Sequence, residues 1–273
     1  MLIDCGFDLV FDIPAPTPMV LALYLHPSRV PDLVHPQGIE SLHLSPFVPL
    51  FDYYDTFGNR LSRLVAPAGK LRIAHRMTVR DPGTLDPPIT DDLYQHPVEQ
   101  LPGEVLQFLL GSRYCEVDRF MPLAWELFGQ MPPGPGRVRA VLNFVHSHLT
   151  FSYASARPTK TAWDVYEEKK GVCRDFQHLT ITFCRCLNVP ARYVTGYLGD
   201  IGIPPDSTAM DFSAWMEVYL SGAWRTVDAR HNKPRTGRIL MATGRDATDV
   251  ALTTGFGKTT LEHFSVITVE KTG

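Results

Sequence analysis

Gly171-Val172-Cys173-Arg174-Asp175-Phe176-Gln177-His178-Leu179 is the stretch on which the fold turns. Phe176, Leu179, Phe183 and Leu187 follow one another at spacings of three, four and four, the period of one face of an α-helix. Gly171 can take backbone angles closed to other residues, which suits a tight approach to the helix. Asn188-Val189-Pro190 ends it, because Pro190 disfavours helical angles at the residue before it. Cys173 therefore falls in the first turn, where unpaired backbone N–H groups and the positive end of the helix dipole favour a thiolate. A thiol so placed is a candidate nucleophile. A buried structural cysteine is the alternative, since free cysteines are among the most buried residues.

The segment before this stretch, Ala162 to Lys170, lacks Gly and Pro and leads without a break into the helix. The chain after it turns to strands. Arg192–Leu198 and Ala214–Leu220 are apolar and β-branched or aromatic. Trp224–Asp228 is joined to the second of these by Ser221-Gly222-Ala223. A helix bearing a candidate nucleophile is followed by an antiparallel sheet, so the class is α+β. A cysteine nucleophile needs a base and the base needs an orienting group. Asp228, at the end of its strand, is the candidate acid; a strand-end turn residue is its ordinary role.

Further towards the N-terminus, Val138, Val141, Leu142, Val145 and Leu149 trace a helical stripe, and Glu104–Leu110 and Met121–Phe128 are shorter helices. His146 and His148 lie on the striped helix two residues apart, so they do not share a face and give no metal site. Residues 1 to about 80 are strands: Asp8–Ile13, Met19–Leu25, a hairpin of Phe51–Asp55 and Leu61–Val65 around Gly58-Asn59, then Leu71–Ala74 and Met77–Val79. They form a β-rich module, residues 1–85, expected to be a sandwich. Asp81–Pro88 is turn-rich and separates it from a second domain, residues 95–273.

Four blocks in order resemble the bacterial transglutaminase-like superfamily: Gly171–Phe176, Pro190–Tyr197, Ala214–Leu220 and Trp224–Asp228. The resemblance spans roughly residues 95 to 260, and the strands before it resemble the β-rich region such proteins often carry. It implies a papain-like core in which the nucleophile helix packs on an antiparallel sheet, with Cys, His and Asp brought together. It implies peptidase, amidase or acyl-transfer activity through a thioester, on a peptide or protein substrate and without a cofactor. Cys173 matches the family nucleophile and Asp228 the family acid. The family's base histidine directly precedes the Ala-Trp pair, and here that position is Ser213, in Asp211-Phe212-Ser213-Ala214-Trp215.

A hydroxyl is no base near neutral pH, whereas an imidazole is. Two readings follow. His231, three residues beyond Asp228, folds back to replace the missing base, or the protein binds peptide or protein without turning it over. His178, five residues from Cys173 on the same helix, lies about 140° around it and faces away. His26, His35, His43, His75, His96 and His263 have no surroundings that mark a site.

Composition narrows the rest. Hydrophobic residues make up 44% and charged residues 20%, ordinary for a globular protein. The net charge of −3 provides no field for nucleic acid or an anionic membrane. No apolar run approaches the ~18 residues of a membrane span. Cys5, Cys115, Cys173, Cys184 and Cys186 are odd in number and form no disulfide framework; Cys184-Arg185-Cys186 is not a CxxC pair. With no signal peptide evident, a cytoplasmic location is expected. Substrate identity, hydrolysis against transfer, and oligomeric state are not legible.

Overall fold

The computed structural model describes residues 1–34, 42–204 and 210–271. His35 lies outside the described residues. The strands are β1 (Leu2–Ile13), β2 (Thr17–Leu21), β3 (His43–Ser45), β4 (Phe51–Tyr54), β5 (Arg60–Ala66), β6 (Gly69–Arg80), β7 (Thr150–Phe151), β8 (Lys170–Gly171), β9 (Ala191–Tyr197), β10 (Ser213–Leu220), β11 (Ala223–Val227), β12 (Ile239–Gly244), β13 (Thr253–Gly255) and β14 (Thr260–Glu270). The helices are α1 (Gly103–Leu106), α2 (Val117–Phe128), α3 (Pro135–His148), α4 (Ala162–Glu168) and α5 (Cys173–Cys186).

Two antiparallel sheets, ordered β14-β1-β6-β3 and β13-β2-β5-β4, make the N-terminal sandwich. Alternation along β1 sends Ile3, Cys5, Phe7, Leu9, Phe11 and Ile13 inward, as strand geometry requires. They share one core with Met19 and Leu21 of β2, Leu64 of β5 and Leu71 and Ile73 of β6. The hairpin around Gly58 is present, with Gly58 at φ +81°. The last strands return to this sandwich: β14 pairs along β1, with Ile3 opposite Glu270, and β13 pairs with β2. Residues 253–270, expected with the second domain, thus supply strands to the N-terminal sheets.

The second core is built on a sheet ordered β11-β10-β9-β12, antiparallel throughout. Ala214, Met216, Val218 and Leu220 of β10 face α5, and α2, α3 and α4 close over the helix's other side. The helix is therefore buried all round from Asp175 to Cys186. Its polar residues are accommodated one by one. Thr180 and Thr182 donate to carbonyls four residues back, at 2.8 and 2.7 Å. Arg185 donates to Ala191 O, Leu110 O and Arg245 O. Phe183 takes the edges of Phe120, Phe128 and Phe144, ring centres 5.2–5.6 Å away, contacts worth about 0.5–1.5 kcal/mol each beyond area burial.

The run into α5 is broken, contrary to expectation. α4 stops at Lys169, at φ +54°, and β8 intervenes, pairing in parallel with β7. Gly171 is thus a strand residue with no positive φ. It is a glycine because a Cβ there would lie 2.6 Å from Asp175 Cβ. That close approach lets the Asp175 carboxylate accept the Val172 N–H at 3.0 Å and cap the helix.

Candidate active site

Cys173 opens α5 and is half-buried in a cavity of about 530 Å³. One wall is the segment from Tyr153 to Pro158. Lys160, fully buried, fixes it by donating to Ser155 O and Lys170 O and pairing with Glu168 at 2.9 Å. Arg174 donates to Arg157 O at 2.8 Å, and the Tyr114 hydroxyl to Pro158 O at 2.6 Å. The facing wall carries Tyr193, Ser213 and Ala214 of the sheet, then Ala247 to Leu252.

Ser213 starts β10 opposite Gly196 of β9, is buried, and lines the same cavity as Cys173. Burial pushes the Cys173 thiol up to about 11. The Arg230 charge and the N–H groups of Ala214 and Arg174 pull it back, and Asp211 pushes it further up. Burial thus works against the thiolate that the helix terminus favours.

Asp228 and His231 meet each other beyond β11. His231 Nδ1 lies 2.8 Å from Asp228 Oδ2, and Arg238 donates to the same oxygen at 3.1 Å. Oδ1 accepts Gln177 Nε2 at 2.9 Å and the backbone N–H groups of Arg230 and His231. Burial alone would raise this carboxyl, but the bonds from His231 and Gln177 and the Arg238 charge hold it well below the usual carboxylate range. His231 Nε2 faces Arg230 Nη1 at 3.4 Å, and His231 is not among the residues lining the Cys173 cavity. The structure brings Cys173 together with Ser213, and Asp228 together with His231. It joins the two pairs through Gln177, one turn beyond Cys173.

His178 is not among the residues lining the cavity; it is buried behind Tyr114, Tyr193 and Ala247, which do line it. It stacks on Tyr114 with ring centres 4.9 Å apart, and its Nε2 accepts the Ala247 N–H at 3.1 Å. Burial brings its pKa down to about 3, against an opposing pull from Asp246, so the ring is neutral. His146 and His148 go separate ways, to the Ala229 and Arg230 carbonyls and to Tyr166 O. His146 thereby anchors the turn after Asp228. Among the described residues no three His, Cys, Asp or Glu side chains cluster as metal ligands, and no helix is long and apolar enough to cross a membrane.

Gln177, Arg230 and Arg238 escaped the sequence reading. Gln177 carried a signal, being four residues after Cys173 on the same helix face. Arg238 comes from the far side of a loop and has none. Arg230 packs its guanidinium 4.0 Å over the Phe151 ring, beside β8 and the start of α5.

Residues 124–229 match the core of the Transglutaminase-like superfamily. A solved structure from Cytophaga hutchinsonii, described as a "Putative Cysteine Protease", is 29% identical, with 98% of this chain and 90% of that one covered and a TM-score of 0.82. The periplasmic domain of TgpA from Pseudomonas aeruginosa is 17% identical, covering 84% of this chain and 73% of that one, with a TM-score of 0.39. A Mycobacterium leprae protein, "Uncharacterized protein ML0607", is 29% identical over 140 residues, 48% of this chain, and the chain spans about half the length of that relative.

Proposed function

The chain carries a transglutaminase-like core in residues 124–229, and on that premise we propose that it binds a peptide or protein amide at the Cys173 cavity through a thiol that is not activated near neutral pH. The observation that carries this reading is Ser213 beside Cys173, where an imidazole base would stand, in a cavity that pushes the thiol up to about 11. Turnover would need the thiol proton to pass to a base. The sulfur would then bond to the carbonyl carbon, the C–N bond would break, the amine would leave with the proton, and water or a second amine would release the acyl group. Serine cannot take that first proton. The N–H groups of Ala214 and Arg174 face the sulfur, where they suit the carbonyl oxygen of a bound amide.

A second reading, a working thiol amidase, is favoured by the same two N–H groups together with the Arg230 charge. It predicts turnover that climbs with alkaline pH. Both readings meet in one comparison of wild type, Cys173→Ala and Ser213→His on a library of fluorogenic peptide amides at pH 7. Wild type is expected to match Cys173→Ala, and Ser213→His to exceed both by about 10²–10⁴-fold, the contribution of a general base. Wild-type turnover of about 1 s⁻¹ or more, an ordinary enzyme rate, that disappears in Cys173→Ala refutes the first reading and establishes the second.

A further inference from the structure

Tyr114, Tyr153, Tyr193, Phe212, Val250 and Leu252 are among the apolar and aromatic side chains that line the cavity. Its charged groups are Arg157, Arg174 and Asp211. Both arginines are already paired within the protein. Arg157 pairs with Glu168 at 2.6 Å and Asp164 at 3.3 Å. Arg174 pairs with the fully buried Asp175 at 3.1 Å and also donates to Arg157 O. Asp211 is exposed at the edge of the lining. An anionic ligand side chain would compete for arginines that are taken, and one of either sign would lose water on entering, which is costly. An uncharged apolar one would gain by burial against the rings. The neutral hydroxyls of Thr195 and Ser213 belong to the same lining and suit the polar backbone of a peptide. A volume near 530 Å³ lies within the range of ligand pockets, about 300–1,000 Å³, and has room for a large side chain with its flanking backbone.

Resting on the reading of this cavity as an amide site, we propose that its ligand is a peptide presenting a bulky uncharged side chain, aromatic or branched aliphatic, beside the carbonyl that faces Cys173. Selectivity then comes from shape and apolar burial, with charge discriminated against on both sides.

The test uses the full-length Cys173→Ala protein and fluorescein-labelled hexapeptides in which each position in turn is Phe, Leu, Ala, Lys or Glu, read by anisotropy at fixed ionic strength. At one position Phe and Leu are expected to bind about tenfold or more tighter than Ala, and Lys and Glu no tighter than Ala. In Ala156→Trp, which fills the exposed rim of the cavity, the Phe-over-Ala ratio should fall to about one. A flat profile, a preference for Lys or Glu, or a ratio unchanged in Ala156→Trp overturns the proposal while leaving peptide binding intact. No binding of any peptide at millimolar concentration overturns it together with the function it rests on.

Discussion

The sharpest consequence of the site concerns the rate at which Cys173 is alkylated. With its thiol pushed up to about 11, only about 10⁻⁴ of Cys173 is thiolate at pH 7, against about 3% for an ordinary thiol of pKa near 8.5. That is a deficit of about 300-fold in the reactive form. A more basic thiolate is the better nucleophile, with a Brønsted slope of about 0.4–0.5, which returns about 10–15-fold. Cys173 should therefore react about 20–30-fold more slowly than the cysteine of an unfolded peptide of the same local sequence. Iodoacetamide labelling from pH 6 to 10, with the Cys173 peptide quantified by mass spectrometry, reads this directly. Competition is slight: Cys5, Cys115, Cys184 and Cys186 are buried, with thiols raised to about 12, 11, 12 and 12. Wild type should show a logarithmic rate rising steadily with pH and no plateau. In Ser213→His a neighbouring imidazolium should stabilise the thiolate and flatten the low-pH end. A wild-type inflection at or below pH 7.5 would refute the reasoning, since it requires positive charge at the sulfur strong enough to outweigh its burial.

Two further outcomes follow from the charged and titratable groups around the site. Arg230 lowers and Asp211 raises the Cys173 thiol, so at pH 9 Arg230→Gln should slow alkylation and Asp211→Asn should speed it, each by a few-fold; shifts of the same sign would show that these charges do not set the thiol. His178 bears on acid stability. Its folded pKa, about 3, lies below an unfolded value near 6.5, so its contribution is complete above pH 6.5 and is lost as pH falls, because the unfolded state binds a proton the native ring refuses. Between pH 6.5 and 5 that amounts to about 2 kcal/mol. His178→Gln, which keeps an acceptor for the Ala247 N–H, should lose correspondingly less in urea unfolding over that interval, and an identical pH slope in the two proteins would exclude the ring as the cause.

What could be read in advance was what is written locally. The nucleophile helix, its stop before Pro190, the three strands after it and the Gly58 hairpin each rest on a period or a turn residue within ten positions. The acid at Asp228 lies at a strand end, where the chain itself marks it. The break at Lys169 was missed because a lysine at positive φ leaves no compositional trace, unlike glycine. The period of Phe176, Leu179, Phe183 and Leu187 marks one buried face of α5, and the burial of the other faces, by three helices from elsewhere in the chain, leaves no local trace; there Thr180, Thr182 and Arg185 find backbone acceptors. The surroundings of the thiol were not legible for a related reason: the helix terminus is visible in sequence, but the cavity walls come from the 153–158 segment and from Ala247–Leu252, far apart in the chain. Arg238 reaches Asp228 by the same kind of long-range closure.

The acid half of the site bears independently on the base half. A carboxylate that orients an imidazole must keep an oxygen open to it. Asp228 has none to spare: Oδ1 takes Gln177 and two backbone N–H groups, while Oδ2 takes His231 and Arg238. The imidazole bonded to Asp228 is that of His231, whose other nitrogen lies 3.4 Å from Arg230 Nη1. A chain that had lost only its base by a single change to serine would leave its acid under-bonded and buried, at a cost of about 1–3 kcal/mol or more for a charged group. In this protein that cost is met from within, by a histidine three residues away and an arginine ten residues away. A histidine placed at 213 would supply a proton acceptor while competing with His231 for Asp228 as its orienting group. Its gain in turnover should then fall towards the lower end of the 10²–10⁴-fold range expected of a general base.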